Sequence, residues 1–385
     1  MATDPICGME VSENTENKLT HEGETYYFCG LGCLKKFANA RNIELEKEQS
    51  GSYFSLLKNK VIIITLILVF LVGLSFIIPL LEPFRKSLFE YFRTIWWAIL
   101  LGLILGGVID NYIPREYISH LLARPKKRTI FYAVFLGFLM SACSHGILAL
   151  GIQLHKKGAS SAGVVAFLLA SPWANLPLTI MLFGFFGAGA IFIILSALLV
   201  GITTGFVYQF LERHDLVEKQ PSNPEGFESF SIKADIKKRM GRYSFSISRF
   251  KEDIKGVFFG AVSLGNMVLW WILLGMGLAS LAGAYVPSDF FQAYLGPSFL
   301  GLLITLAFAT VIEVCSEGSA PMAFELFRQT GALGNSFTFL MAGVATDYTE
   351  IGLLWSNVGK KTAIWLPIVT VPQVLVLGWI ANTFF

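Results

Sequence analysis

The sequence has few charged residues for its length. Asp, Glu, Lys and Arg make up 15% of its 385 residues, against about 25% in an average soluble protein. Residues 158–211 and 362–385 contain no Asp, Glu, Lys, Arg or His at all. Because so little charge does not cover the surface of a soluble protein, and about 20 apolar residues span a bilayer, the sequence predicts a multi-pass membrane protein.

Other absences narrow the function further. No long Lys/Arg block is present, and the net charge is only +3, so nucleic acid is not an expected partner. The chain has no Gly-x-x-x-x-Gly-Lys-Ser/Thr loop and no Asp-Lys-Thr-Gly motif, which argues against an ATP-driven pump. It has no Cys-x-x-Cys pair and no organic-cofactor fingerprint either. We therefore expect a transporter rather than an enzyme, in contact with the lipid bilayer; its oligomeric state is left open, with a homo-oligomer among the alternatives.

The composition divides the chain into five parts. We predict a small hydrophilic head at 1–45, a connector at 46–60, a first membrane half at 61–211, a polar cytoplasmic linker at 212–255 and a second membrane half at 256–385. The membrane halves are expected to be all-α, because helices satisfy their own backbone groups in lipid. Lys58 and Lys60 precede the first apolar segment and favour a cytoplasmic N-terminus.

The two membrane halves resemble each other in sequence. Short matches recur in the same order, 172 to 174 residues apart: Trp96-Trp97 with Trp270-Trp271, Tyr112-Ile113-Pro114 with Tyr285-Val286-Pro287, and Cys143-Ser144-His145-Gly146 with Cys315-Ser316-Glu317-Gly318. Such internal repeats are typical of secondary transporters, whose substrate site lies between the repeats near the bilayer midplane.

The direction of the second repeat depends on how residues 129–155 are read. If they form a re-entrant hairpin broken at 143–146, then Lys156, Lys157 and the linker all fall on the cytoplasmic side, and the repeats are inverted. If every segment spans fully, the repeats are parallel and the charged linker lies outside, against the positive-inside tendency. We favour the inverted arrangement with broken or re-entrant helices.

Three of the five cysteines lie in the head. Cys29 and Cys33 are four residues apart, so on a helix both thiolates lie on one face, and Cys7 precedes a Gly-Met turn. Three convergent thiolates suit a soft or borderline ion such as Zn²⁺ or Cu⁺. The alternative is three buried cysteines in a very small core.

The head resembles a YHS domain. The resemblance rests on Asp4-Pro5-Ile6-Cys7-Gly8-Met9-Glu10-Val11, on Tyr26-Tyr27-Phe28-Cys29, and on Cys33 and Phe37. It implies a treble-clef-like α+β metal-binding module with Cys7, Cys29 and Cys33 as ligands. The family usually has Ser after the second cysteine, where this chain has Gly30. This difference does not affect the three ligand positions.

In the membrane halves, Cys143 and Cys315 are equivalent in the repeat. Two thiolates that meet at the midplane suit a soft metal ion or a thiophilic metalloid; alternatively, each is a small residue that permits close helix packing. Glu313 and Glu317 flank Cys315 on one helical face, and His145 is equivalent to Glu317. Carboxylates within the membrane are costly and usually functional, so we predict that Glu313 and Glu317 carry the coupled proton. The alternative is that Glu313 only stabilises a break in the helix.

Asn175 lies between Pro172 and Pro177, and its counterpart is Asp347. Prolines next to a polar residue are typical of discontinuous transporter helices, so we predict that Asn175 and Asp347 contribute to the substrate site together with Cys143, Cys315 and His145. A structural kink is the alternative.

The membrane part resembles the prokaryotic permease family that includes the ArsP-type organoarsenical efflux permeases. The resemblance rests on Cys143-Ser144-His145-Gly146, Lys157-Gly158-Ala159-Ser160 and Ala170-Ser171-Pro172-Trp173-Ala174-Asn175-Leu176-Pro177. It implies a secondary exporter in the prokaryotic inner (plasma) membrane. Two other functions stay open: a passive channel or sulfur-species conduit, and a membrane thiol oxidoreductase.

Overall fold

The structure of the chain is a computed structural model. It describes residues 2–3, 5, 10–11, 15, 18–21, 24–28, 34, 37–38, 41, 43, 59–112, 127–139, 144–156, 159–174, 176–218, 247–312 and 316–384. The chain forms two compact units, Met1–Lys58 and Asn59–Phe385. The boundary between them falls inside the predicted connector 46–60.

The described part of the head has two short antiparallel strand pairs. β1 (Ala2–Thr3) pairs with β2 (Glu10–Val11), and β3 (Lys18–His21) pairs with β4 (Glu24–Tyr27). Its buried hydrophobic cluster consists of Phe28, Leu34 and Phe37. So small a cluster supplies little stability by itself.

The first half of the membrane body contains seven described helices. They are α1 (Lys60–Leu74), α2 (Glu82–Tyr112), α3 (Lys127–Leu139), α4 (Ser144–Lys156), α5 (Ser161–Ala174), α6 (Leu176–Phe186) and α7 (Gly189–Arg213). The predicted apolar segment 61–81 is divided: its helix ends at Leu74, and a short 3₁₀ turn, Pro79–Leu81, leads into α2. Pro79 begins this turn, a position where proline is well tolerated because its missing N–H needs no helical partner.

The second half also contains seven described helices. They are α8 (Ile247–Tyr285), α9 (Ser288–Leu295), α10 (Phe299–Ile312), α11 (Ser316–Thr330), α12 (Leu333–Ala345), α13 (Tyr348–Asn357) and α14 (Lys360–Phe384). α8 begins inside the stretch 212–255 that the composition predicts as a polar linker, and residues 219–246 of that stretch lie outside the described residues.

Four helices in the described ranges are long and apolar enough to cross a membrane. They are Pro79–Val108, Gly189–Arg213, Asp253–Tyr285 and Lys360–Phe384. α9 and α10 make a fifth candidate, which is bent by 105°. The other apolar helices are shorter than the roughly 20 residues that a full span needs, so they must cross the bilayer in pairs or enter it only partly.

A buried asparagine stabilises the bend between α9 and α10. Pro297 lies in the bend and has no N–H with which to continue α9, which ends at Leu295. The fully buried Asn335 lies with its Nδ2 2.9 Å from the Leu295 oxygen and 3.0 Å from the Gly296 oxygen. This amide satisfies polar groups that would otherwise be costly to bury.

α3 runs parallel to α5. Near the start of both helices, an ideal Cβ on Gly163 would lie 3.7 Å from Cγ2 of Thr129. Near their ends, an ideal Cβ on Gly137 would lie 2.7 Å from Oγ of Ser171. Residue numbers therefore rise together along the two helices.

α4 runs antiparallel to α5. Gly151 lies against Val164, and towards the end of α4 the carbonyl of Leu154 accepts a 2.9 Å bond from Ala159 N. α3 and α4 thus form a hairpin whose open ends lie at the start of α5. Its tip, residues 140–143, lies outside the described residues.

The same arrangement occurs in the second half. α10 runs parallel to α12, since Asn335 lies 3.1 Å from Thr305 and Thr346 lies 2.7 Å from Thr310 through their side chains. α11 runs back along α12 and ends where α12 begins, since Ser336 donates a 2.9 Å bond to the Ala323 carbonyl and residues 330–332 form the turn. The tip of this second hairpin comprises residues 313–315.

Candidate functional site

A polar interruption separates α12 from α13 at residues 346–347, whereas residue 175, between α5 and α6, lies outside the described residues. α12 and α13 together have about the length of one full span, so their interruption lies near half depth. Discontinuous helices of this kind form the substrate sites of secondary transporters.

Asp347 caps the first turn of α13. Its Oδ1 accepts bonds from Thr349 N at 2.6 Å, Glu350 N at 2.9 Å and Thr349 Oγ1 at 2.7 Å, and the residue is 4% exposed. Backbone donors at a helix N-terminus stabilise a negative charge. The helix thus holds a carboxylate at a depth where an isolated charge would be costly.

Glu317 lies in the first turn of α11, directly after the second hairpin tip. It is 4% exposed, and Ser316 Oγ donates a 2.9 Å bond to its Oε2. Its position also places a carboxylate at the positive end of a helix dipole.

A hydrogen bond connects the second hairpin to the interruption of α12 and α13. Thr310, three residues before the tip, and Thr346, next to Asp347, lie 2.7 Å apart through their hydroxyl oxygens. This contact holds the α12–α13 interruption beside the second hairpin.

The other predicted site residues are not described in the structure. Cys143, Asn175, Glu313 and Cys315 lie outside the described residues, and His145 is described only as backbone in the first turn of α4. The head residues Cys7, Cys29 and Cys33 also lie outside them. Among the side chains that the structure does describe, no group of three or more His, Cys, Asp or Glu is arranged to hold a metal ion.

α11 follows the tip of the second hairpin, and α13 follows the interruption at 346–347. Contacts cross between the halves, because α6 packs against α11 and α4 packs against α13. The N-terminal ends of helices carry partial positive charge, which favours the carboxylates of Glu317 and Asp347 at the starts of α11 and α13.

Sequence reasoning did not identify a second polar cluster, around Glu325 of α11. Glu325 is 1% exposed, accepts a hydrogen bond from Tyr91 of α2, and forms a 2.9 Å ion pair with Arg328. Arg328 also reaches Glu90 at 2.9 Å, and Gln329 donates to Glu325 at 2.6 Å. The spacing of Glu325 and Arg328, three residues apart in a largely apolar part of the sequence, is the signal that could have revealed this cluster.

A third polar contact lies at the start of α14. Glu218 accepts bonds from Lys361 N and Thr362 N, each at 2.9 Å, and from Thr362 Oγ1 at 2.8 Å. Partial burial opposes ionisation of Glu218, but these three bonds outweigh it and lower its pKa. Ser161 Oγ donates to the Glu218 carbonyl at 2.9 Å, so the starts of α5 and α14 meet the end of α7 here.

Comparison with known sequences identifies the family of the membrane body. The ArsP_1 family, which is described as a predicted permease, matches residues 85–383. This chain belongs to the ArsP_1 family. The YHS domain matches residues 2–41, so both resemblances found in the sequence are confirmed.

Relatives of this permease occur in several bacteria. It is 23% identical over 259 residues to the "Putative two-component membrane permease complex subunit" of Streptococcus mutans. The aligned region covers 66% of this chain and 80% of that protein. It is 25% identical over 288 residues to UPF0718 protein YcgR of Bacillus subtilis, covering 73% and 90% of the two chains. No solved structure matches this chain. The family and the apolar helices together make it a multi-pass membrane permease.

Proposed function

We propose that this permease is a proton-coupled secondary exporter of a soft heavy metal, a metalloid or an organometalloid of the organoarsenical type. The observation that carries the proposal is the presence of two buried carboxylates, Glu317 and Asp347, at the starts of α11 and α13 in the body of a permease. In this proposal Cys143 and Cys315 bind the substrate as thiolates. His145, Asn175 and Asp347 complete the site.

An inverted repeat is supported by the directions of equivalent helices. α7 and α14 correspond in the repeat, and they run antiparallel. Thr204 meets Gln373 at 3.0 Å, whereas Tyr208, further along α7, meets Thr362 at the start of α14 at 2.6 Å. α2 and α8 also correspond and also run antiparallel, since Gly107 lies against Ala261 and Leu103 lies against Gly265. A two-fold axis in the membrane plane produces antiparallel pairs of this kind.

Equivalent side chains make equivalent contacts, which also supports the repeat. An ideal Cβ on Gly205 of α7 would lie 2.8 Å from Ile130 and 2.9 Å from Ala166. An ideal Cβ on Gly378 of α14, 173 residues later, would meet Leu302 and Thr338. These two residues follow Ile130 and Ala166 by 172 residues each.

The charge distribution supports a cytoplasmic N-terminus. The end of the body where α5 and α14 begin carries Lys156, Arg213, Lys360 and Lys361. Cationic residues that border membrane spans favour the cytoplasm. At the opposite end two cations are paired with acids: Lys86 with Glu82 at 2.9 Å, and Arg328 with Glu90 at 2.9 Å. We place this protein in the prokaryotic inner membrane.

Carboxylates at the second hairpin provide the proton step of the proposal. Glu313 and Glu317 flank Cys315, and a proton that binds one of them lowers the negative charge beside the substrate thiolates. His145, the counterpart of Glu317, is the group that can share this proton.

The head is proposed to bind Zn or Cu through Cys7, Cys29 and Cys33. The donor set fits, since three thiolates suit a soft or borderline ion, and Cys29 and Cys33 adjoin the buried Phe28 and Leu34 in the sequence. Because ligation would supply most of its stability, the isolated head (1–48) should lose its circular dichroism signal with a chelator. A head that unfolds cooperatively without metal contradicts this.

A toxicity panel in a metal-sensitive host tests the transport proposal. Cells that express the protein are challenged with arsenite, methylarsenite, Hg²⁺, Cu⁺, Zn²⁺ and Cd²⁺, and inverted vesicles measure uptake of the protective substrate. We expect protection against at least one soft species and uptake driven by ΔpH. The variant Glu317→Gln keeps the shape but carries no proton, so its uptake should lose the dependence on ΔpH.

The alternatives predict other results in the same assays. Uptake that persists with a proton uncoupler indicates a passive channel or a sulfur-species conduit. Thiol- or quinone-dependent turnover in detergent indicates an oxidoreductase. The absence of protection against all six species contradicts the proposed substrate class.

A further inference from the structure

The Glu325 cluster connects the two halves of the body at one end. Tyr91 and Glu90 belong to α2 in the first half, whereas Glu325 and Arg328 belong to α11 in the second. The Arg328 guanidinium also lies over the Tyr91 ring, 5.6 Å from its centre. Glu325 is 1% exposed, whereas the Arg328 side chain is 31% exposed, so loss of Arg328 would leave a costly buried charge on Glu325.

Aromatic rings close the same end of the body between α6 and α11. Phe185 stacks on Phe324 at 4.8 Å, and Tyr91 lies edge-on to both rings at 6.1 and 6.0 Å. Phe186 contacts Phe324 at 5.7 Å and Phe327 at 5.6 Å. The rings thus fill the space where the end of the first half meets the second hairpin.

The opposite end of the body lacks this set of residues at the equivalent positions. In the repeat, Phe324 and Phe327 correspond to Ile152 and His155, and Phe185 and Phe186 correspond to Asn357 and Val358. Glu325 corresponds to Gln153, and the positions of Glu90 and Tyr91 are taken by Leu264 and Gly265. Because a packing requirement of the fold would apply to both repeats, the difference between the two ends points to a role in the transport cycle.

We infer that Glu90, Tyr91, Glu325 and Arg328 form a latch that keeps the second hairpin closed against the first half. The latch must break before a path opens at this end. The inference rests on the proposed function in one respect only: the proposed function assigns the end of the body that carries Arg328 to the outside of the cell. The latch is the contact that α11 would have to release in order to move relative to α2.

Thiol labelling tests the latch without any knowledge of the substrate. The reporter is Ala320→Cys, because Ala320 is fully buried in α11, one turn closer to the tip than Phe324. A membrane-impermeant maleimide is added from either side of oriented vesicles, and peptide mass spectrometry separates this site from the five native cysteines. With Tyr91→Phe or Glu325→Gln in the same chain, we expect labelling from the Arg328 end to rise about tenfold.

Control variants on the same helices separate loss of the latch from general disturbance of the fold. Lys86→Gln removes an exposed ion pair of the same helix α2 and should leave labelling unchanged. Gly283→Ala adds a Cβ that would collide with Glu325 Oε1, so it disturbs the latch without removing a charge and should also raise labelling. Gly265→Ala, on the same helix, meets only an ordinary contact at 3.4 Å and is its control.

The outcomes are distinct from those of the transport assays. Unchanged labelling in folded Tyr91→Phe, Glu325→Gln and Gly283→Ala proteins overturns the latch, even if the permease exports a soft metal. An increase only from the opposite end also overturns it. If Glu325→Gln does not fold, Tyr91→Phe and Gly283→Ala decide the question, because neither leaves a buried charge unpaired.

Discussion

At the scale of single residues, Asp347 combines two roles that one substitution can separate. Its carboxylate caps α13 through Thr349 and Glu350, and it is also the proposed partner of Asn175 in the substrate site. Asn caps helices about as well as Asp but carries no charge. The cap and the charge can therefore be tested independently.

We predict that Asp347→Asn leaves the melting temperature in detergent almost unchanged and impairs export. Asp347→Ala should impair export and also lower stability, by about 1 kcal/mol, because it removes the cap. Export assays and thermal unfolding of both variants provide the measurement. Wild-type export by Asp347→Asn would reduce this residue to a helix cap.

Single residues also mark what the sequence could reveal about the site. Glu317 and Asp347 were identifiable because a charge in an apolar segment is conspicuous, and each is indeed buried at a helix N-terminus. Asn335 gave no such signal. Its importance comes from the carbonyls of Leu295 and Gly296, which lie some 40 residues away in sequence.

At the scale of helices, close backbone contacts depend on particular glycines. α12 crosses α14 where Gly334 meets Gly378, and an ideal Cβ on Gly334 would overlap the carbonyl oxygen of Gly378. Small residues at such crossings let helices approach closely in a membrane. Gly343 lies on the same helix α12, with nothing within 4 Å of its ideal Cβ.

We predict that Gly334→Ala destabilises the protein by about 1–3 kcal/mol, the usual cost of overpacking. Gly343→Ala is the matched control and should be neutral or slightly stabilising, because Ala is the better helix former. Thermal unfolding in one detergent compares the two. Equal melting temperatures would contradict the close crossing of α12 and α14.

The start of α14 gives a prediction about pH. The pKa of Glu218 is lowered in the folded protein, so its contribution to stability is present above the ordinary carboxyl pKa and is lost as pH falls through the lowered value. Glu218→Gln should therefore melt below the wild type at pH 7 and match it at strongly acidic pH. If the difference in melting temperature between Glu218→Gln and the wild type were equally large at acidic pH, ionisation of Glu218 would contribute nothing to stability.

Helix boundaries were predictable only in part. The break predicted at 143–146 falls at the start of α4, which begins at Ser144, whereas α3 already ends at Leu139 and residues 140–143 lie outside the described residues. The run 293–327, by contrast, reads as one segment, although Pro297 bends it and the second tip interrupts it again. A hydrophobicity pattern does not reveal this bend, because the backbone carbonyls at the bend are hydrogen-bonded by Asn335 of α12, which is distant in sequence.

At the scale of the whole molecule, the two halves carry different charges on the same framework. The hairpins of both halves pack on α5 and α12 in the same way. The second half has three carboxylates, Glu313, Glu317 and Glu325, whereas the first has Ser141, His145 and Gln153 at the corresponding places; only Arg328 has a counterpart of the same charge, Lys156. Two equal frameworks with unequal charges suit a protein that must respond differently at its two ends.

The whole-molecule reading leads to a test of whether the two halves act together on one substrate. If Cys143 and Cys315 bind it as a pair, Cys143→Ser and Cys315→Ser should each abolish resistance. The double variant should be no worse than either single one, because residues that act as one unit give non-additive effects. Ser is small enough to keep the helix packing, so protein level and melting temperature should barely change. Resistance assays and thermal unfolding of the three variants provide the measurement.

The head supplies the control for this experiment. Cys33→Ser removes a thiol of the same kind outside the proposed membrane path, so it should alter metal sensitivity or regulation and leave residual export. Normal export by both Cys143→Ser and Cys315→Ser would make these cysteines packing residues. The proposed site would then have to be rebuilt around Glu313, Asn175 and Asp347, since polar groups at the remaining interruptions would be the ones left to bind a substrate between the repeats.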